Sequence, residues 1–167
     1  MCFAEIEIID LEFFPDQRGN IINLSEYHPL GNRYNLEKIV IEPKLVLRGF
    51  HGDAFNDKLI SCLSGRICLV VVDYRKESST FLKTQEIYLN GRKPKAVFVP
   101  QGFLNAHLSL TKTTFFYKWT HRYIKPEEQI TVKYNSPSLN INWDKISNKK
   151  PWQAYNVSER DKNGLSI

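Results

Sequence analysis

Nowhere in the 167 residues is there an apolar run near the roughly 18 to 20 residues that cross a bilayer as a helix, so a soluble protein is expected. The start of the chain also lacks a basic segment followed by an apolar one. Met1 to Asp10 instead carries acids at Glu5, Glu7 and Asp10 and does not read as a signal peptide. Cysteine is scarce: Cys2, Cys62 and Cys68 are an odd number without CxxC spacing, which points to free thiols in a reducing cytoplasm. The four histidines, His28, His51, His107 and His121, lie far apart with no His-x-His pair, so no metal site is expected. The net charge of +5 comes without a polybasic run. Its densest groups, Arg92-Lys93-Pro94-Lys95 and Lys149-Lys150, sit beside turn residues and read as solvated surface, not as a nucleic-acid stripe. A small anionic ligand such as a nucleotide diphosphate accounts for the excess equally well. Repeats, low-complexity tracts and domain boundaries are missing too. Residues 1–167 are therefore expected to form one domain, long enough to bury roughly 70 % of its unfolded surface.

What the chain does have is many short runs rich in Val, Ile, Phe and Tyr, from Ile6–Phe14 through to Ile130–Tyr134. Turn signals such as Pro15-Asp16, Pro29-Leu30-Gly31-Asn32, Ser64-Gly65, Asn90-Gly91 and Pro100-Gln101-Gly102 separate them. Little of the sequence shows a helical period. The expectation is an all-β sandwich or barrel. Lys58–Leu63 and Arg66–Asp73, joined at Ser64-Gly65, read as a tight hairpin. The second of these strands is almost continuously apolar, which predicts burial on both faces, the outer one against another sheet or a second subunit. A homodimer is expected on that ground. Beyond Asn135 the chain becomes irregular, with Ser158-Glu159-Arg160-Asp161 resembling a helix start, so short C-terminal helices packed on the barrel are predicted.

Two stretches carry the candidate chemistry. In Val46-Leu47-Arg48-Gly49-Phe50-His51-Gly52-Asp53, glycines beside each polar residue free the backbone to bend. Arg48 and His51 can then face one pocket, although their spacing would oppose them in a regular strand. His51 is open to a structural or a catalytic reading. In Phe115-Phe116-Tyr117-Lys118-Trp119-Thr120, strand alternation puts Phe115, Tyr117, Trp119 and His121 on one face. Tyr117 is either a core tyrosine with a satisfied hydroxyl or a pocket acid.

These stretches belong to an ordered set: Asp16-Gln17-Arg18-Gly19, the Arg48–His51 motif, Lys58-Leu59, Val72-Asp73-Tyr74-Arg75 with Ser79-Thr80-Phe81, Val99-Pro100-Gln101-Gly102-Phe103, and Tyr117-Lys118 with Tyr123 and Pro126-Glu127. Together, from about Phe13 to Trp143, they resemble the dTDP-4-dehydrorhamnose 3,5-epimerase family of metal-free sugar-nucleotide epimerases in the cupin superfamily. The resemblance implies a dimeric cupin-type jelly-roll barrel, without cofactor, acting on a dTDP- or GDP-linked 4-keto-6-deoxy sugar, hexose or heptose, at C3, C5 or both. It implies His51 as base, Tyr117 as acid and Lys58 as the cation that stabilises the enolate oxygen. Arg18 and Arg48 are implied to grip the diphosphate, with Arg18 supplied by a partner subunit through strand exchange. Asp161 matches the late acid that pairs with the histidine in that family and reads equally well as a helix cap. Tyr123 falls in the substrate-binding set.

The chain departs from the family pattern where the sugar would lie. Asn105 stands where a pocket histidine is usual, and His107, two residues on and on the same face of an extended strand, either substitutes for it or packs. Leu69 stands where the family usually has an aspartate. Besides the epimerase reading, a ketoisomerase moving the carbonyl between C3 and C4 and a non-catalytic sugar-nucleotide-binding barrel remain open.

Overall fold

The computed structural model describes residues 2–23, 34–121, 125–151 and 153–167. Two five-stranded antiparallel sheets face each other as a jelly roll. The first contains β1 (Glu7–Asp10), β4 (Leu36–Glu42), β6 (Lys58–Ser64), β9 (Lys95–Val99) and β11 (Thr113–Trp119), in the order β1-β9-β6-β11-β4. The second contains β5 (Leu47–Gly52), β7 (Arg66–Asp73), β8 (Thr84–Asn90), β10 (Phe103–Ser109) and β12 (Ile130–Thr131), in the order β12-β5-β10-β7-β8. A separate two-stranded hairpin, β2 (Phe13–Asp16) and β3 (Gly19–Ile22), turns at Gln17-Arg18. The expected Ile6–Phe14 strand is thus split between a sheet and this hairpin. Short helices α1 (Trp143–Ser147) and α2 (Glu159–Lys162) close the chain. The all-β class with short C-terminal helices is as the sequence led one to expect. The Pro29-Leu30-Gly31-Asn32 turn, His28 and Tyr123 lie outside the described residues.

Two expectations about β6 and β7 are corrected. They are not a hairpin: β6 pairs with β9 and β11, while β7 pairs with β8 and β10. The Ser64-Gly65 turn carries the chain from one sheet to the other. Gly65 sits at φ +79°, and a side chain there would run into the Lys112 carbonyl. Strand β7 is buried on both faces, but its outer face is covered by the chain itself. Ile67, Leu69 and Val71 fill the space between the sheets with Ile60, Val97 and Phe115. Cys68, Val70 and Val72 point the other way, against a second cluster that holds Val132, Leu139 and Trp143 of the C-terminal segment. The burial of β7 therefore does not argue for a partner subunit. Cys62 and Cys68 are buried free thiols, and burial pushes both up, Cys62 to about 11 and Cys68 to about 12.

Among the described residues no helix is long and apolar enough to cross a membrane.

Candidate active site

The mouth of the sandwich on the β4 side opens into a cavity of about 480 Å³, within the usual range for a small-ligand site. Its walls come from both sheets. From the first come Lys58 of β6 and the face Phe115, Tyr117 and Trp119 of β11, as strand alternation required. The three rings form a ladder, with Phe115 to Tyr117 centroids 6.3 Å apart and Tyr117 to Trp119 5.9 Å apart. His121, expected on the same face, is exposed and lies beyond the end of the strand.

From the second sheet come Arg48 and His51 of β5 with Asn105 and His107 of β10. His51 faces Asn105 and Arg48 faces His107, and the register slips between Asn105 and His107. That bulge lets two β5 residues of opposite parity reach one cavity. The glycines serve the close approach of the strands: a Cβ on Gly49 would lie 2.7 Å from the Asn105 carbonyl, and one on Gly52 would lie 2.6 Å from the Phe103 carbonyl.

His51 Nε2 lies 2.6 Å from Asp161 Oδ1. Asp161 is buried, and the α2 turn that carries it is capped by Ser158, whose side chain accepts the Asp161 backbone N–H at 3.2 Å. The helix-start reading therefore belongs to Ser158, while the Asp161 carboxylate turns to the histidine. Burial raises the Asp161 pKa, but hydrogen bonds from His51, Ser158 and the Gly49 backbone outweigh it and hold the carboxyl below its ordinary value. An ionised carboxylate only accepts, so His51 Nε2 carries the proton it donates and Nδ1 keeps its lone pair. Burial lowers the His51 pKa, Asp161 works to raise it, and nearby Arg160 and Lys58 lower it further, with a net shift downward. The imidazole is thus neutral at neutral pH and can take a proton at Nδ1.

Lys58 is buried, its Nζ donating to the His51 carbonyl at 3.1 Å and to Asn105 Oδ1 at 2.8 Å. Those bonds use two of three donors and leave one for a ligand oxygen. Burial lowers its pKa to about 8, partly opposed by Asp53. Asn105 therefore acts on the lysine: its amide oxygen fixes the ammonium beside His51.

Behind the Arg48 and His107 part of the cavity wall, Glu42, the last residue of β4, is a buried carboxylate. It accepts from Arg48 Nε at 3.0 Å, from His107 Nε2 at 2.8 Å and from the Ser109 hydroxyl. Burial raises its pKa, but these partners bring it below the ordinary value. His107 also meets Phe115 edge-on, with centroids 4.5 Å apart. Glu42 escaped the sequence reading because it precedes Arg48 on a different sheet, where spacing along the chain says nothing about contact. Arg160 escaped it too. This guanidinium lines the cavity beside His51 and bonds to Thr131 Oγ1 at 2.7 Å and Gln129 Oε1 at 3.2 Å, both neutral acceptors. Its place directly before Asp161 was the available signal.

One expected site residue is elsewhere. Arg18 sits on the turn of the β2–β3 hairpin, with its side chain 81 % exposed and paired to Asp16 at 2.6 Å, outside the cavity.

Residues 2–167 match the family model described as dTDP-4-dehydrorhamnose 3,5-epimerase. The chain is similar to the dTDP-4-dehydrorhamnose 3,5-epimerase of Salmonella typhimurium, with 33 % identity over 149 residues that cover 83 % of this chain and 81 % of that protein. It is similar to the Escherichia coli K12 enzyme of the same name at 32 % identity, over 86 % of this chain and 82 % of that one. The structure of Legionella pneumophila dTDP-6-deoxy-D-glucose-3,5-epimerase in complex with dTDP-4-keto-L-rhamnose aligns with a TM-score of 0.84 at 27 % identity, covering 96 % of this chain and 87 % of that one. An epimerase from Mycobacterium tuberculosis aligns with a TM-score of 0.88 at 23 % identity, over 99 % and 86 % of the two chains, a likeness of fold.

Proposed function

This chain belongs to the dTDP-4-dehydrorhamnose 3,5-epimerase family, and from that premise we propose that it inverts C3, C5 or both in a dTDP-linked 4-keto-6-deoxy sugar. Family membership makes it an isomerase of the epimerase kind and sets aside the ketoisomerase and the non-catalytic barrel. The observation that carries the assignment of roles is the convergence of His51, Tyr117 and Lys58 on one cavity, with Asp161 bonded behind His51.

In this reading the C4 ketone lies against Lys58. His51 Nδ1 removes the proton from a carbon beside the ketone, and the electrons of that C–H bond move to the C4 oxygen, where the ammonium meets the enolate charge. Tyr117, through its phenol O–H, returns a proton to the opposite face of the carbon, and solvent resets both groups. Proton transfer of this kind contributes roughly 10² to 10⁴ in rate, so charge stabilisation and positioning supply the rest. Asp161 holds the imidazole in its tautomer and supports the imidazolium that forms. Arg48 takes the diphosphate, where a guanidinium fork suits phosphate oxygens. Residues 1–167 act as one domain in the cytoplasm, where nucleotide sugars and free thiols coexist.

A second copy of the chain completes the site. Among the described residues β4 is the edge of its sheet, and it exposes Ile39 and Ile41, at 69 % and 70 %, at the rim of the cavity. The β2–β3 hairpin exposes Phe14 and Ile21, at 52 % and 65 %. Apolar surface of this sort on an edge strand invites pairing with another chain. A hairpin from the second copy laid along β4 would bring Arg18 to the diphosphate. The overall reaction is tested by incubating the protein with dTDP-4-keto-6-deoxyglucose, and separately with GDP-linked 4-keto sugars, in D₂O. Deuterium at C3 or C5 is the expected result and identifies the carbon; no incorporation from any of these ketones would sink the epimerase reading.

A further inference from the structure

Two histidines of the cavity wall are each bonded to a buried carboxylate, and the mechanism above uses one of these pairs. In the other, His107 Nε2 donates to Glu42, so its Nδ1 is the ring nitrogen left for a ligand. A buried carboxylate with three donors is a costly feature for a wall that needs only to be shaped, since apolar residues would fill it without the desolvation cost. The place of the pair along the cavity is set by register. Asn105 and His51 form one level and His107 and Arg48 the next, about 7 Å along the strand. The first level holds the ketone and the reacting carbon; the second holds the diphosphate. What lies between them on a pyranose is C2, bonded to the anomeric carbon on one side and to C3 on the other.

We propose that His107 and Glu42 form a hydroxyl-recognition site, in which His107 Nδ1 shares a hydrogen bond with the C2 hydroxyl of the sugar while the same carboxylate holds Arg48 toward the diphosphate. The inference rests on the epimerase reading and on the placement of ketone and diphosphate given there. The substrate is then a 4-keto sugar that keeps its 2-hydroxyl, and 2-deoxy sugars are discriminated against. Glu42 is a positioning residue: it orients the His107 ring, and the bond to Arg48 Nε leaves the terminal N–H groups for phosphate oxygens. Neighbours support the placement, because Leu69 pairs with His107 in the β7–β10 ladder and faces the cavity without a polar group. His107 therefore has no competing protein donor from that strand.

The test compares kcat/KM for dTDP-4-keto-6-deoxyglucose and for its 2-deoxy analogue in the wild type, His107→Phe and Glu42→Gln, with the Kd for dTDP measured alongside. The wild type is expected to favour the hydroxylated substrate at least tenfold, since a site built around a hydroxyl loses a partner when it is missing. In His107→Phe the preference should fall below threefold, because the hydroxylated substrate loses more than the 2-deoxy analogue does. Glu42→Gln should weaken dTDP about tenfold, raise KM and affect kcat less. A general packing defect would lower both substrates together and leave their ratio intact. That outcome, or a wild type that turns over both equally well, overturns the inference while the epimerase reading stands. If His107→Phe fails to fold, His107→Leu gives the same ratio test. A wild type that exchanges no proton on either substrate overturns the functional reading itself, and this inference with it.

Discussion

At the scale of single residues, the proposed base is His51, and its surroundings set the pH at which an imidazole there is neutral. Its pKa is lowered by burial, so the base is neutral and competent above a point below 6.5. Lys58, lowered to about 8, loses its charge as pH rises through that value, and with it the electrostatic support of the enolate. A profile of kcat/KM against pH should therefore be bell-shaped, with an acid limb below 6.5 and an alkaline limb near 8. An alkaline limb that stays at the same pH in Lys58→Met would contradict the assignment to the lysine. Asp161→Asn replaces an acceptor that fixes the tautomer with an amide; kcat should drop about 10²-fold or more, with thermal stability changing far less. The Arg48–His51 motif was legible in the sequence because its glycines announced an unusual backbone. Asp161 was legible only through family resemblance, since its partner lies 110 residues away.

Among elements, strand character and much of the order of strands could be read from Val, Ile and aromatic runs and the turns between them. Pairing could not. Strands β6 and β7 look like a hairpin, because a Ser-Gly turn between apolar runs has the same local chemistry whether it folds a ribbon or passes between sheets. Only the choice of partners, β9 and β11 for one and β8 and β10 for the other, separates the two. The two-faced burial of β7 was correctly read, but its cover was the chain's own tail, whose irregular sequence shows no period that would tie it to a sheet. Trp143 is the centre of that cover: it is buried, its ring lies 6.1 Å from Phe50, and its Nε1 donates to the Tyr134 carbonyl at 2.7 Å. Trp143→Ala should cost about 3 to 5 kcal/mol in denaturant unfolding. A loss below 1 kcal/mol would mean that the tail adds little to the sandwich.

For the molecule as a whole, the β4 side is where the sheet edge among the described residues, exposed isoleucines and the cavity rim coincide, while Arg18 lies outside the cavity. The dimer proposed through this side predicts that Ile41→Glu is a monomer by light scattering, with weakened dTDP affinity. Retention of both the dimer and the affinity would place the interface elsewhere. The proton pair itself is tested most directly by deuterium wash-in to the sugar ring from D₂O, followed by NMR, in the wild type, His51→Asn and Tyr117→Phe. The wild type is expected to label the carbon it inverts, His51→Asn to label none, and Tyr117→Phe to exchange slowly with little inversion. Wild-type labelling by His51→Asn would contradict the central claim that this imidazole is the base.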